Sequence, residues 1–162
     1  MYKSTRGTKL YTASYAILNG IAKDGGLFTP SQSDSFSLCE SDQNLSYQAL
    51  AQKVFSFFLD DFNEQEIDQV LKDCYQEEDF KPDVVGLKKL DAFYLLSLYH
   101  GPTFAFKDMA LSVISPLFNM AKEKQNNQKR NIILTATSGD TGSATLSGFN
   151  NDPQTSVIVL YP

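Results

Sequence analysis

The chain has 162 residues, of which 42% are hydrophobic and 12% aromatic, so it can bury an ordinary core and is too apolar for a disordered chain. Its formal net charge is -5, and it has no strong basic cluster, which argues against binding to nucleic acid or to an anionic membrane. The two cysteines have neither the density of a secreted disulfide scaffold nor the spacing of a zinc site, so we expect no metal and two reduced, structural thiols.

Hydropathy indicates a cytoplasmic protein that does not cross a membrane. The opening segment, MYKSTRGTKL, contains no apolar core of a signal peptide. The longest apolar stretch, residues 92–99, is much shorter than the ~20 residues that a membrane-spanning helix needs.

The first part of the chain predicts a helix, a turn and a loop. Residues 11–19 have apolar positions near helical spacing and stop at Asn19-Gly20. The turn at 24–26 precedes an extended segment at 27–29. Residues 31–43 are rich in Ser, Asp and Gln, which predicts a surface loop.

Two amphipathic helices follow and predict a small helical unit that ends near Asp79. The first begins after Ser46 as N-cap, and the second begins at the capping-box sequence from Asn63 to Glu66. Their apolar faces consist of Leu50, Val54, Phe57 and Phe58 in the first helix and of Ile67, Val70, Leu71 and Cys74 in the second.

The second half alternates between strand and helix patterns, which indicates a βαβ unit on a parallel sheet. Residues 92–99 predict a buried strand, and residues 106–124 predict a helix with a kink at Pro116. The pattern continues with a strand at 131–136, a small-residue loop at 138–142, a helix at 143–150 and a strand at 155–161.

These patterns predict an α/β fold in two parts. Residues 1–90 form a small, mostly helical N-terminal domain, and residues 91–162 form the first βαβ part of a three-layer, parallel-sheet domain. A parallel sheet needs cover on both faces and further strands at its edges. We therefore expect the second domain to be incomplete and its sheet edge to be open to self-association.

Lys107 is the first candidate for chemistry, because it lies in the segment HGPTFAFKD, where a loop enters a helix. Its neighbours Phe104 and Phe106, together with the positive end of the helix dipole, would favour a neutral amine. A neutral amine is what bonding to an aldehyde cofactor requires. The alternative is that Lys107 points to water beside Asp108, as most lysines do.

The second candidate is the loop in TATSGDTGSA, residues 135–144, between a strand and a helix. Its small residues let backbone N–H groups converge at a helix N-terminus, which suits a phosphate or carboxylate at the carboxyl end of a parallel strand. The alternative is a plain tight turn with Ser and Thr as caps. Asp140 suits an anion site only if it accepts a hydrogen bond from a hydroxyl or a protonated ring, or if it lies outside the anion cradle.

Arg6 is the third candidate, in the segment YKSTRG. Its guanidinium is able to pair with a phosphate or carboxylate, or to anchor the terminus from the surface. The spacing of the neighbouring residues does not separate these two roles.

Five segments, taken in order, resemble the threonine synthases, which are β-family, fold-type II enzymes that use pyridoxal 5'-phosphate. The segments are YKSTRG, KDGGLFTP, HGPTFAFKD, LTATSGDTGSA and VIVLYP, of which the third and fourth are the most specific. The resemblance spans the chain and is loose over residues 31–90. Threonine deaminases and cysteine synthases share the general lysine and Ser-Gly loop, but they usually carry Asn at the position of Asp140.

The resemblance implies a small-molecule enzyme that converts O-phospho-L-homoserine and water to L-threonine and phosphate, the last step of threonine biosynthesis, by γ-elimination and β-addition of water. Lys107 would bind pyridoxal phosphate and then move the α- and β-protons of the substrate. Phe106 would shape the pocket, Asp140 would lie near the ring hydroxyl of the cofactor, and His100 would either contact substrate or anchor its loop. The substrate carboxylate would be held by Thr137, Ser138, Gly139, Thr141 and Gly142.

The family also has a later Gly- and Asn-rich loop that cups the cofactor phosphate, and a late residue that faces the pyridine nitrogen. Neither has a counterpart in these 162 residues, so we expect the chain alone to be inactive. Two alternatives stay open. One is a threonine-synthase-like lyase that acts on another phosphorylated amino acid, and the other is a non-catalytic chain that associates through its open sheet edge.

Overall fold

The computed structural model describes residues 1–32, 36–150 and 152–162. It divides into two compact units, one formed by residues 1–71 and 116–128 and the other by residues 72–115 and 129–162. Each unit consists of two separate segments of the chain, so the units interleave in sequence. Two of the three divisions fall inside helices. The predicted domain boundary at residue 90 stays a prediction.

Three short strands form an antiparallel sheet in the first unit, in the order β2-β1-β3. β1 is Tyr2–Ser4, β2 is Leu10–Tyr11 and β3 is Phe28–Pro30. Tyr11 lies opposite Tyr2 in this sheet. The first predicted helix therefore begins later than residue 11, because the backbone of Tyr11 is extended.

The first helix of this unit is held by carboxylates from a distant part of the chain. α1 is Ala13–Asn19, and its N-cap Thr12 accepts a hydrogen bond from the amide of Tyr15. The amides of Ala13 and Ser14 donate to Asp60 and Asp61 at 3.0 and 3.1 Å. Two carboxylates thus satisfy amides that a helix N-terminus leaves open and complement its dipole.

Both predicted N-terminal caps of the next two helices are confirmed. α2 is Tyr47–Phe58, and the side chain of Ser46 accepts from the amide of residue 49 at 3.2 Å. α3 is Glu64–Cys74, where the Asn63 amide donates to Glu66 at 2.7 Å and the Glu66 amide donates back to Asn63 at 2.9 Å. A short 3₁₀ helix at Glu40–Asn44 interrupts the predicted surface loop, of which residues 33–35 lie outside the described residues.

The core of the first unit lies against α3. Ile67, Val70 and Leu71 are buried as predicted, whereas Cys74 is half-buried and the apolar side chains of α2 are half-buried. The second half of α4, a helix that spans Asp108–Lys124 and contains Pro116, adds further buried residues. They are Leu117, Ala121 and also Lys122, which is only 3% exposed.

The second unit contains a β-hairpin. β4 is Gly86–Leu90 and β5 is Phe93–Ser97, and they pair antiparallel with Leu90 opposite Phe93. The predicted strand at 92–99 is therefore present, but it is not buried: Phe93 and Tyr94 are 61% and 62% exposed. The apolar run indicated a covered strand, and no other strand pairs with β5 in the described part of the chain.

A parallel β-α-β unit completes the second unit, as predicted. β6 is Asn131–Ala136, α5 is Asp140–Gly148 and β7 is Thr155–Leu160. β6 and β7 pair in parallel register from Asn131 opposite Thr155 to Ala136 opposite Leu160. Their carboxyl ends therefore meet at one edge, where the predicted anion loop begins. α5 begins three residues before the predicted start at Ser143.

Within the described residues, no helix is both long and apolar enough to cross a membrane. The same residues contain no group of three or more side chains that could together hold a metal ion.

The two cysteines differ in their surroundings, although both are free thiols. Cys39 is exposed, whereas the Cys74 thiol donates to the Ser112 carbonyl oxygen at 3.2 Å. Burial, assisted by Asp73 and Asp79, raises the pKa of the Cys74 thiol to about 12. Since the thiolate is the reactive form, Cys74 is chemically quiet at neutral pH.

We expect iodoacetamide at pH 8 to modify Cys39 at least ~100-fold faster than Cys74 in the native chain, because a thiol of such high pKa is only about 10⁻⁴ ionised there. Peptide mass spectrometry over time measures both rates. In urea the two rates should become similar. Equal rates in the native chain would show that Cys74 is not held as described.

Candidate active site

The loop that precedes α4 is organised by a single buried carboxylate. Asp108, the first residue of α4, is 1% exposed. Its two carboxylate oxygens accept from the Thr103 amide at 2.8 Å, from the Thr103 hydroxyl at 2.5 Å and from the Ala105 amide at 3.4 Å. A buried charge needs such donors to offset its desolvation. The loop is thereby closed on itself.

Two backbone features allow this closed loop. A Cβ on Gly101 would lie 2.5 Å from the Cβ of Asp108 and 2.9 Å from the ring of Phe80, so only glycine fits there. Phe104 has φ 57°, in the left-handed region that non-glycine residues rarely adopt, and its amide donates to the Gly101 carbonyl oxygen at 3.0 Å.

The loop that precedes α4 packs on two aromatic side chains, Phe80 and Tyr75. Phe80 is 1% exposed, and its ring meets the ring of Tyr75 edge-on at 5.3 Å between centroids. The Tyr75 hydroxyl donates to the Met109 carbonyl oxygen at 2.5 Å, in the first turn of α4. The loop and the start of α4 therefore rest on one packed layer.

Lys107, the residue before α4, is half-buried. Its Nζ lies 5.3 Å from the centroid of the Phe106 ring, a distance at which a ring face attracts an ammonium group. Phe106 is 59% exposed and Phe104 is 80% exposed. The flanking phenylalanines thus do not provide the dry surroundings that the sequence suggested.

The predicted anion loop lies at the carboxyl end of β6. Gly139 is the N-cap of α5, and its amide donates to the Thr137 hydroxyl at 3.2 Å. Ser138, Gly139 and Asp140 are exposed, and a Cβ on Gly139 would meet no atom within 4 Å. The loop is therefore open to a ligand, with Asp140 in the first turn of α5.

Gly142 has a packing role that the sequence did not indicate. A Cβ there would lie 2.7 Å from Val159 and 3.0 Å from the Tyr161 hydroxyl, so glycine lets α5 approach β7. Its amide already donates to the Gly139 carbonyl oxygen at 3.2 Å, and the Thr141 carbonyl oxygen accepts from the Thr145 hydroxyl at 2.6 Å. The predicted contacts of Gly142 and Thr141 with substrate stay predictions.

The helices that follow Lys107 and the anion loop, α4 and α5, are in close contact. A Cβ on Gly148, at the end of α5, would lie 2.3 Å from the Leu111 carbonyl oxygen of α4. Leu111 lies in the first turn of α4, four residues after Lys107, and Asp140 begins α5. The contact thus fixes the two helices whose N-terminal ends carry the lysine and the anion loop.

His100 has features that suit both roles considered for it. Its Nδ1 lies 2.7 Å from the Asp83 carbonyl oxygen, so Nδ1 carries the proton and anchors the loop. The ring also packs on Gly86, where a Cβ would lie 2.9 Å from Cε1. At the same time His100 borders a cavity of about 360 Å³ together with Tyr99 and Phe104. Anchoring is observed, and contact with substrate stays a prediction.

Arg6 takes part in a turn of the first unit. Its guanidinium donates to the Asp24 carbonyl oxygen at 3.4 Å, and its amide donates to the Ser4 hydroxyl oxygen at 3.1 Å. The Ser4 hydroxyl and then the Gly26 amide lower the pKa of the Asp24 carboxyl. A Cβ on Gly26 would lie 2.1 Å from the Ser4 hydroxyl oxygen, which accounts for that glycine. The observed role of Arg6 is thus anchoring.

The sequence did not identify Asp108 and Thr103 as the residues that organise the loop. It indicated Asp108 only as a neighbour of Lys107. The sequence signal was an acidic residue at a helix start, because Asp108 accepts from the amide three residues before it, at Ala105, as in a capping interaction. Only the closed loop shows that the acid accepts from the threonine.

Comparisons with known proteins place these features in one family. Residues 1–75 match the family described as "Threonine synthase N terminus". The chain is 35% identical to the threonine synthase of Eremothecium gossypii over 181 aligned residues, which cover all of this chain and 35% of that protein. It is 32% identical to the human protein "Threonine synthase-like 2", covering 99% of this chain and 34% of that protein.

The fold agrees with a solved structure of this kind. The crystal structure of threonine synthase from Brucella melitensis with bound pyridoxal phosphate matches with a TM-score of 0.86 and 32% identity, over 99% of this chain and 35% of that one. The chain therefore spans about a third of the length of the relatives that it matches. The predicted α/β fold is confirmed, and over its whole length the chain is similar in sequence and in fold to the N-terminal third of threonine synthases.

Proposed function

We propose that this chain provides the lysine of a threonine synthase that uses pyridoxal phosphate, and part of its substrate site. The observation that carries the proposal is Lys107 at the end of the loop that Asp108 closes, immediately before α4, which packs against α5, the helix of the open anion loop. The reaction would convert O-phospho-L-homoserine and water to L-threonine and phosphate in the cytoplasm. The enzyme would be a carbon-oxygen lyase.

The residues present suit an aldehyde cofactor in two respects. Lys107 offers a half-buried primary amine on a fixed backbone, and the exposed residues 138–140 leave room for a bulky ligand. When bound, pyridoxal phosphate supplies a conjugated ring that takes up electrons as protons leave the substrate carbons. The Lys107 amine would bond the cofactor and, once displaced by the substrate amine, carry the protons of the α- and β-carbons.

The backbone amides of the anion loop and the carboxylate of Asp140 would bind different groups, because their charges are opposite. The N-terminal end of α5 and the amide of Ser138 suit the substrate carboxylate, because a helix N-terminus attracts anions. Asp140 would repel that carboxylate if it faced it. We therefore place Asp140 towards the ring hydroxyl of the cofactor, from which it would accept a hydrogen bond. Phe106 would line the site beside the amine.

We expect Lys107 to be the preferred site when the chain is treated with pyridoxal phosphate and reduced with borohydride. Peptide mass spectrometry measures the share of the adduct at each lysine, and Lys107→Ala should remove most of it. Lys88→Ala, on the exposed strand β4, is the matched control and should change little. Labelling that follows exposure alone, with no preference for Lys107, would refute the proposal. We expect no turnover of O-phosphohomoserine by these 162 residues.

The chain is also similar to the human protein named "Threonine synthase-like 2". As a second candidate function, we propose that the same lysine and loop serve a lyase that acts on another phosphorylated amino acid. The full gene product, assayed for phosphate release from O-phosphohomoserine and from O-phosphothreonine, separates the two. Preference for O-phosphohomoserine supports the first proposal.

A third candidate is association between copies of the chain through the open edge of the β6-β7 sheet, which has two strands in the described residues. One face of the β6-β7 sheet is exposed and apolar, with Ile132 at 66%, Leu134 at 64% and Leu160 at 53% exposed. Exposed apolar patches of this kind mark interfaces. Light scattering over a range of concentrations tests this candidate, and a monomer throughout would exclude it.

A further inference from the structure

We propose that Asp108 is a positioning residue, whose buried carboxylate, paired with Thr103, fixes the loop of residues 101–108 and so determines where the amine of Lys107 stands. The inference rests on the proposed cofactor-binding role of Lys107. In this role Asp108 binds Thr103 and Ala105 within the loop and does not form a surface ion pair with Lys107.

The hydrogen bonds of Asp108 point back into the loop. One oxygen accepts from the Thr103 hydroxyl, and the other accepts from the amides of Thr103 and Ala105. Both oxygens are therefore satisfied without Lys107, in a setting where the side chain is 1% exposed. A carboxylate in such a place binds its donors tightly, because the unsatisfied charge would be costly.

The loop needs this support because of its conformation. Phe104 occupies the left-handed region at φ 57°, which costs free energy for a residue with a Cβ and persists only where the surroundings hold it. The two amides that Asp108 binds belong to the residues on either side of Phe104. The carboxylate thus holds the turn by hydrogen bonds to the residues immediately before and after the strained Phe104.

The backbone of Lys107 is held between this turn and the helix. On the helix side, the Lys107 carbonyl oxygen accepts from the amides of Ala110 at 3.1 Å and Leu111 at 2.9 Å. On the loop side, the Asp108 amide donates to the Ala105 carbonyl oxygen at 3.1 Å. Because both neighbours are held, the direction of the Lys107 Cα–Cβ bond is fixed, and this direction sets the region that the amine reaches.

Three variants of the chain test this role. Asp108→Asn keeps the shape but offers one acceptor oxygen in place of a carboxylate. Thr103→Val removes only the hydroxyl, and Thr103→Ser restores it. The first readout is hydrogen exchange at the amides of Thr103 and Ala105. The second is the share of borohydride-reduced pyridoxal phosphate adduct at Lys107 relative to Lys88.

We expect Asp108→Asn to speed exchange at both amides by roughly tenfold or more and to lower the Lys107 share of the adduct by a similar factor, since hydrogen bonds to charged groups are the strong ones. Labelling of Lys88 should not change. Thr103→Val should show a smaller loss of the same kind, and Thr103→Ser should recover most of the wild-type values.

The outcomes separate the two proposals. If wild-type Lys107 is labelled preferentially and both Asp108→Asn and Thr103→Val keep that preference while folded, the positioning role is overturned. If wild-type Lys107 shows no preference, the proposed function fails, and the exchange rates at Thr103 and Ala105 still decide whether Asp108 fixes the loop. If Asp108→Asn does not fold, the comparison of Thr103→Val with Thr103→Ser decides.

Discussion

Phe80→Ala should lower the free energy of unfolding by about 3–5 kcal/mol, the largest stability effect that we expect in this chain. The side chain is 1% exposed, packs edge-on against Tyr75 and lies directly under Gly101. Removing the ring leaves a cavity beneath the loop that carries Lys107. Urea denaturation followed by circular dichroism measures the change.

The matched control for this variant is Phe93→Ala, which removes the same atoms from a side chain that is 61% exposed. Its cost should stay below about 1 kcal/mol, because little apolar surface returns to water. A loss at residue 80 as small as that at residue 93 would mean that the loop does not rest on a packed layer.

Gly148→Ala should lower the free energy of unfolding by about 2–3 kcal/mol. The new Cβ would lie 2.3 Å from the Leu111 carbonyl oxygen, an atom of the backbone that no rotamer change can move away. Helix propensity alone favours alanine over glycine by about 1 kcal/mol, so it predicts the opposite sign. The close contact decides the outcome, since α4 and α5 must separate.

Gly139→Ala is the control for this variant, because a Cβ there would meet no atom within 4 Å. Gly139 is an N-cap without a left-handed φ, so its change in unfolding free energy should stay below about 1 kcal/mol. Thermal unfolding of both variants tests the prediction. A neutral or stabilising effect of Gly148→Ala would show that α4 and α5 are not in contact there.

Capping residues and apolar periodicity in the sequence predicted many boundaries of helices and strands. The caps at Ser46 and at Asn63 with Glu66 are as expected, because they depend on side chains three residues from the amides that they bind. β6 has the predicted bounds, 131–136, and its parallel pairing with β7 follows from the alternation of strand and helix. Boundaries that depend on partners far along the chain, such as the start of α1, were less well predicted.

The site was predicted in its parts but not in its construction. The motifs identified Lys107 and the loop of residues 137–142, and the comparisons confirm the resemblance to threonine synthases that these motifs indicated. The surroundings of the lysine were inferred from its neighbours in sequence, Phe104 and Phe106, which are largely exposed. Adjacency along the chain does not determine which way a side chain turns.

By itself, the sequence determined the resemblance to threonine synthases, the parallel β-α-β pattern and the lysine proposed for chemistry, because short motifs and periodicity record all three. Only the tertiary structure showed that Asp108 accepts from Thr103 and Ala105, and that Gly148 lets α5 touch the backbone of α4. The reason is physical: periodicity reports which face of an element is apolar, whereas a buried hydrogen bond or a close backbone contact depends on the path of the chain in space.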